Sequence, residues 1–292
     1  MSEPSADAAA IPLLWINLDR APRRRARMEW AIREGGWQTQ RLSAIDAQDS
    51  YQRLLPIANP LRPGTPLPGL RRSAEPTPWR RTSRPELACL ASWKQLLLLA
   101  EATTSKSGWV LLMEDDLGAS LAAPNAWAHN LLQLIKSCPT KTLAIQLAPI
   151  SAQARRELHH HWLASQGQCL SLPKEHVRSH GNGAVLVRQE AIPRLIHPLE
   201  RRVSRRWAHW HPLIHPWWIR PVADKWLYGA LPLGSCRVAT YPHFCLEAED
   251  SSLHSEHVDS YHLPSRRATL ETWHLDNRKA LLAAQQHWDT IS

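Results

Sequence analysis

The sequence predicts an α/β fold built around a central mixed, mostly parallel sheet, and three observations carry that expectation. Leu13-Leu14-Trp15-Ile16 and Trp109-Val110-Leu111-Leu112-Met113 are uninterrupted apolar runs of strand length, the pattern of strands buried on both faces. Each run is followed by a turn and then a segment with helical spacing. The alternation of strand and helix continues past the middle of the chain, as a layered α/β architecture requires.

The first strand ends at Asn17-Leu18-Asp19-Arg20, and Pro22 to Glu34 suits a helix, with proline at its start, Gly35-Gly36 as its stop, and Arg23, Arg24, Arg25 and Arg27 along it. A second strand is expected over Arg41 to Ile45. Residues 50 to 85 then change character, with eight prolines, seven arginines and little apolar periodicity, and read as an extended loop, either a variable surface loop or a lid. From Pro85 the spacing of Leu87, Leu90, Ala91 and Leu96 to Leu99 predicts a helix with a broad apolar face. The strand at Trp109 to Met113 runs directly into Glu114-Asp115-Asp116. A helix starting near Pro124, a strand over Thr142 to Leu147, a strand over Gly183 to Val187, a short helix over Gln189 to Ile196 and a terminal helix over Ala268 to Trp288 complete the reading.

Composition narrows the class. At 292 residues the chain can bury a substantial core without staples, and 43% apolar with 21% charged residues excludes wholesale disorder and a simple coiled coil. No stretch approaches the roughly 18 to 20 apolar residues of a membrane span. The N-terminus lacks the basic region of a secretory signal, and the five cysteines are odd in number without a CxxC pair, so a reducing, cytoplasmic setting is expected. A net charge of +9 favours an anionic partner: nucleic acid, a membrane surface or a phosphorylated small molecule.

Ligands of open α/β sheets bind beyond the carboxyl ends of the strands, where both Asn17-Leu18-Asp19-Arg20 and Glu114-Asp115-Asp116 are placed. The two clusters are therefore expected to share a crevice. In an extended chain Glu114 and Asp116 point to one side and Asp115 to the other. Such oxygen ligands suit Mg2+ or Mn2+, whose shell is completed by water and substrate phosphates, although an acidic triplet after a strand is equally a solvated turn.

The block Ile16 to Met28, with its core Asn17-Leu18-Asp19-Arg20-Ala21-Pro22-Arg23-Arg24-Arg25, resembles the opening motif of glycosyltransferase family 25, the lipopolysaccharide-type galactosyltransferases and their collagen-modifying relatives. Later blocks follow in the family's order: Arg41 to Asp46, Pro85 to Trp93, Leu111 to Asp116, Gly181 to Arg188 with Glu190-Ala191, and Pro221 to Leu227. The likeness spans roughly residues 11 to 255. It implies a GT-A type nucleotide-sugar-binding sandwich over residues 11 to 265, preceded by a loose leader at 1 to 10, carrying the 50 to 85 insertion, and followed by a C-terminal helix within 266 to 292.

The implied function is an inverting, divalent-metal-dependent transfer of a hexose, usually galactose, from a UDP-sugar to a glycan of the lipopolysaccharide or surface-polysaccharide type. By motif position the resemblance assigns Asp116 and Glu114 to the metal, and Asn17, Asp19, Arg20, Arg23, Ser92, Glu114 and Asp115 to the nucleotide-sugar cofactor site. Asp224 is the expected base for the acceptor hydroxyl. It also implies Mn2+ or Mg2+ as cofactor and a glycan or lipid-linked glycan as acceptor. The remaining basic charge suits peripheral contact with an anionic inner membrane face, and with no helix-turn-helix, zinc-finger or RNP-type pattern beside it no nucleic-acid partner is expected. Trp93 stands where the family's helix has His, Ala223 replaces one residue of an acidic pair, and Gly183-Ala184 lacks the family's Gly-Tyr, which leaves the sugar open.

Two rival classes remain at this stage: a basic nucleic-acid binder using Arg20 to Arg27 and Arg201 to Arg206, and a glycosyltransferase-like protein that binds ligand without catalysis. His159 to His161 and His209, His211 and His215 invite a zinc reading against that of an irregular loop, and Trp217 or Trp218 could stack on a sugar ring.

Overall fold

The computed structural model describes residues 10–34, 36–48, 84–118, 127–168, 170–196, 222–241, 243–246 and 257–272. The sequence expectations for the leader, most of the 50 to 85 segment, the second basic cluster, the histidine-tryptophan run at 207 to 218 and most of the terminal helix lie outside these residues. Among the described residues no helix is long and apolar enough to cross a membrane.

Among the described residues, helices and a π-turn pack around a seven-stranded sheet. In chain order these are β1 (Leu13–Asn17), α1 (Pro22–Glu34), β2 (Thr39–Ser43), α2 (Arg84–Ala102), β3 (Trp109–Glu114), β4 (Leu117–Gly118), α3 (Trp127–Ser137), β5 (Ala144–Gln146), α4 (Ala152–Ala164), β6 (Ser171–Pro173), β7 (Ala184–Arg188), α5 (Ala223–Gly229), β8 (Cys236–Ala239), β9 (Cys245–Leu246), the π-turn Val258–His262 and α6 (Leu263–Thr272). α6 continues the π-turn along the same path. The sheet order is β2-β1-β3-β7-β5-β8-β6, while β4 and β9 form a separate two-stranded ribbon. The sheet is mixed and mostly parallel, as expected: β1, β2, β3, β5 and β8 run one way, β6 and β7 the other. β1 pairs in parallel with β2 and β3, and β5 with β8; β7 runs antiparallel to β3 and β5, and β6 antiparallel to β8. The antiparallel β7 follows a long connection that brings its N-terminus to the edge where β3 ends.

Strand period explains the layering. On β1, Leu13 and Trp15 enter one core with Met28, Ala31 and Ile32 of α1 and Leu131 and Leu134 of α3, while Leu14 and Ile16 enter the other. That second core holds Leu96 and Leu97 of α2, Ile192 and Leu195 of the helical stretch 192–196, and Leu227 of α5. β3 divides in the same way, with Leu111 and Met113 on one face and Val110 and Leu112 on the other. A strand apolar at consecutive positions thus needs helices on both sides, and this chain supplies them. Trp15 is 1% exposed, so Trp15→Ala would cost about 3 to 5 kcal/mol.

Two sequence expectations shift. β2 ends at Ser43 rather than continuing to Ile45: Ser43 pairs with Asn17, the last residue of β1, and Ile45 leaves the sheet to pack on Ala88 and Ala91 of α2. The apolar character of Ala44-Ile45 therefore reports a loop anchored on a helix. The expected helix over Gln189 to Ile196 opens as a tight 3-10 turn, Gln189–Ala191, before 192–196. At the end of α1, Gly36 has φ 64°, its N–H bonds to Arg33 O at 3.0 Å and Trp37 N–H returns to Ile32 O at 3.3 Å, closing the helix by a left-handed cap that favours glycine.

Candidate functional site

A cavity of about 370 Å³ opens at the carboxyl ends of β1 and β3. It gathers residues from all parts of the chain: Asn17 and Arg20 after β1, Ser92 on α2, Glu114 to Asp116 after β3, His180 to Gly183 before β7, and Asp224 on α5. The crevice expected from strand order is present, and the topology makes it. The parallel pair β1 and β3 delivers two loops to one edge, and antiparallel β7 begins where they finish.

The acidic triplet begins as its strand pattern predicts, with Glu114 turned to Trp93 of α2 and Asp115 to Arg24 of α1 on the other face of the sheet. Regular extension stops at Glu114, Asp115-Asp116 form a turn leading into β4, and all three residues border the cavity. Each then has a distinct environment. Glu114 Oε1 accepts a hydrogen bond from the indole Nε1–H of Trp93 at 2.6 Å, with the Cys89 thiol 3.8 Å away. Burial, followed by the neighbouring Asp116 charge, pushes the Glu114 carboxyl up to about 8. Trp93 itself is 2% exposed and belongs to the core, so its indole orients an acid rather than lining the cavity.

Asp115 is held inside the protein. Its Oδ1 accepts from Arg24 Nη1 at 3.0 Å and its Oδ2 from Asn17 Nδ2 at 2.6 Å. Burial raises its carboxyl above the ordinary carboxylate range, and the Arg24 charge and the Asn17 bond pull against that rise. Asn17, 1% exposed, is fully engaged: it also donates to Ala21 O at 3.3 Å and accepts from Arg41 Nη2 at 2.9 Å. Asn17, Arg24, Arg41 and Asp115 thus form one buried network tying β1, α1, β2 and the β3 turn together.

Asp116 contrasts with both. Its Oδ1 is buried and has no hydrogen-bond partner among the described residues. Gly183 faces it, and a Cβ there would stand 3.5 Å from that oxygen and 3.0 Å from Leu117 Cδ2. The approach to Asp116 is therefore kept clear by a residue without a side chain. Among the described residues no three His, Cys, Asp or Glu side chains lie close enough to enclose a cation. One unpartnered carboxylate oxygen fits a divalent ion that takes most of its remaining ligands from phosphates and water; Glu114, turned to Trp93, is less suited to that role than its sequence position suggested.

The other sequence candidates separate by location. Arg20 lines the rim and ion-pairs with Asp46, its side chain 47% exposed. Ser92 borders the cavity, yet its hydroxyl donates to Ala88 O at 2.8 Å and accepts from Ile45 N–H at 2.9 Å, so it pins the β2 loop to α2. Asp19 is turned to solvent, paired with Arg41 and Ser43, whose hydrogen bonds hold its carboxyl below the usual range. Arg23 is exposed outside the cavity, and Arg24 takes the inward place. Helix phase decides this: Arg24 precedes Met28 and Ala31 at helical spacing, on the stripe facing the sheet. Asp224 lies in the first turn of α5, with Oδ1 accepting from Lys225 N–H at 2.7 Å and Oδ2 from Gly181 N–H at 3.4 Å.

Behind Asp224 lies a polar cluster that sequence reasoning missed. Lys174 Nζ donates to Gln146 Oε1 at 2.9 Å and to Ser179 O at 2.7 Å, and sits 4.3 Å from the Tyr228 ring centre. Burial lowers its ammonium to about 8. Gln146 in turn donates to His180 O at 2.8 Å, fixing the loop beside the cavity. That loop is also tightly seated at Gly181, whose φ is +88° and where a Cβ would meet Ile150 Cγ2 at 2.7 Å. His159 to His161 fall on α4, away from the cavity.

Fold and site together define an α/β sandwich with a polar crevice where its parallel strands end. No family profile matches the chain, and no curated protein matches it. Among solved structures, apo mouse Xyloside xylosyltransferase 1 is similar at 12% identity over 75% of this chain and 66% of that one, with a TM-score of 0.34. Galactosyltransferase LgtC, in complex with donor and acceptor sugar analogs, is similar at 12% identity over 78% and 73%, with a TM-score of 0.36. Overlaps this loose transfer neither a residue nor an activity.

Proposed function

We propose that this chain is a glycosyltransferase that moves a hexose from a UDP-sugar to a glycan acceptor of the surface-polysaccharide type, with galactose the first sugar to test. The observation that carries the reading is the buried, unpartnered Oδ1 of Asp116 in a crevice shared with Arg20 and Arg24. A diphosphate brings negative charge that the half-exposed Arg20 guanidinium at the rim attracts, and a Mn2+ or Mg2+ ion held at Asp116 would supply Lewis-acid stabilisation of the departing phosphate.

The chain's own residues divide the remaining work. The network of Asn17, Arg24, Arg41 and Asp115 holds the β1 and β3 turns at fixed separation, and Ser92 fixes the loop that follows β2. Asp224 accepts the proton of the attacking acceptor hydroxyl as the new bond from oxygen to the anomeric carbon forms, the bond from that carbon to the diphosphate breaks, and UDP departs with the electron pair. Backbone N–H groups of Gly181 and Lys225 orient its carboxylate. The net charge of +9 suits an acceptor presented at an anionic membrane surface.

The reading is tested by following UDP release from UDP-galactose and UDP-glucose with Mn2+ and extracted surface glycans. The parent is expected to release UDP, and Asp224→Asn to slow it by a factor of about 10² or more while UDP still binds. A parent that binds UDP yet consumes no UDP-hexose contradicts transfer.

A further inference from the structure

The cavity has a second set of polar atoms that nothing above uses. Asn182 is 7% exposed and His262 is 6% exposed; both line the cavity, and neither Asn182 Nδ2 nor His262 Nδ1 has a hydrogen-bond partner among the described residues. They come from distant parts of the chain. Asn182 lies in the loop before β7, next to the Gly183 that faces Asp116, and His262 ends the π-turn that leads into α6. Buried polar groups are nearly always paired, because an unpaired one forfeits its hydration, so two in the lining of one cavity point to a ligand that completes them.

The chemistry of the wall identifies that ligand's class. Asn182 Nδ2 donates, and His262 Nδ1 donates or accepts according to tautomer. Beside them on the π-turn, Tyr261 lines the cavity with 43% of its surface exposed, and its ring is braced edge-on by His257 at 5.1 Å between centres. A neutral amide, an imidazole and an open aromatic face match a polyhydroxylated ring, which offers hydroxyls around its rim and apolar C–H groups on its face. The guanidiniums lie across β3, on the β1 side.

We infer that Asn182, His262 and Tyr261 form a hexose-binding wall, with Asn182 and His262 selecting the sugar through its hydroxyls. This deepens the proposed function and rests on it for the identity of the donor. It makes two separable demands. Apolar replacement of Asn182 or His262 removes recognition of the sugar but not of UDP. Replacement of Asn182 by a leucine of similar size also leaves the ligand-free protein as stable as before or more so, since a donor left unpaired there costs stability.

The test compares UDP, UDP-galactose and methyl galactoside binding by calorimetry and ligand-observed NMR, for the parent, Asn182→Leu and His262→Phe, with Asn182→Ala and His262→Gln as second variants should either first one fold poorly. The parent is expected to bind UDP-galactose about tenfold or more tightly than UDP. Both apolar variants keep the parent's UDP affinity within about twofold and lose the hexose increment, and Asn182→Leu shows an unchanged or raised Tm. Variants that retain the increment overturn the inference, as do variants that lose UDP and UDP-galactose alike together with a lowered Tm. If the parent binds no UDP, the donor reading falls; loss of methyl galactoside binding in Asn182→Leu would then still sustain the hexose wall, and a parent that binds neither probe overturns both.

Discussion

The two sides of the cavity are built on opposite terms. On the β1 side every buried polar side chain described above is matched inside the protein: Asn17, Arg24, Arg41 and Asp115 bond to one another, and Ser92 to backbone. Elsewhere in the cavity lining, Asp116, Asn182 and His262 each keep a buried atom without a partner among the described residues. The first side is a preassembled scaffold whose worth is rigidity; the second presents groups that a ligand would satisfy. Residues on the two sides should therefore fail differently, the scaffold through stability and the open wall through binding.

The largest effect is expected at the junction. Asp116→Asn keeps the shape but removes the charge, and UDP-hexose turnover should fall by a factor on the order of 10³ with little change in Tm. A comparable loss of Tm would move Asp116 to the scaffold. Next comes Arg24→Ala, which strands the 7%-exposed Asp115 carboxylate and should cost about 3 to 5 kcal/mol in urea unfolding. Combining it with Asp115→Asn should recover much of that loss, and full additivity would dissolve the pair.

Glu114 sharpens the comparison through pH. Its folded-state carboxyl stands near 8 against an ordinary 4.5, so the folded protein favours the protonated form. Stability from this group is complete below about pH 4.5 and is lost as pH rises toward 8, with a slope of at most about 1.4 kcal/mol per pH unit. Glu114→Gln keeps an acceptor for the Trp93 indole and removes the titration. Its Tm relative to the parent should climb between pH 5 and 8, and a flat difference would contradict the burial of that carboxyl. The smallest effects belong to Ser92→Ala, about 1 kcal/mol from its two bonds, and Asp19→Ala, within about 0.5 kcal/mol because the pair with Arg41 is exposed to solvent.

Much of the scaffold was legible in the sequence, and most of the open wall was not. β1 and β3 announce themselves because parallel strands between helix layers must be apolar at every position, and α1 because proline opens it and glycine closes it. The convergence of Asn17 and the acidic triplet follows from strand direction alone. Choosing Arg24 over Arg23 needed the helix phase set by Met28 and Ala31, a signal present in the sequence. By contrast β6 and β8 are three and four residues long and defined by pairing with distant strands, and α4 mixes Arg155, Arg156 and three histidines into its faces. That Asn182 and His262 line the same cavity depends on how distant parts of the chain come together, and no local pattern encodes it.

If Asp116 holds a divalent cation against a diphosphate, calorimetric titration of UDP into the parent and Asp116→Asn, with and without Mn2+, separates the two proteins. The parent should bind UDP at least about tenfold more tightly with Mn2+, and Asp116→Asn should show no such gain. Equal Mn2+ enhancement in both proteins would contradict that role of Asp116.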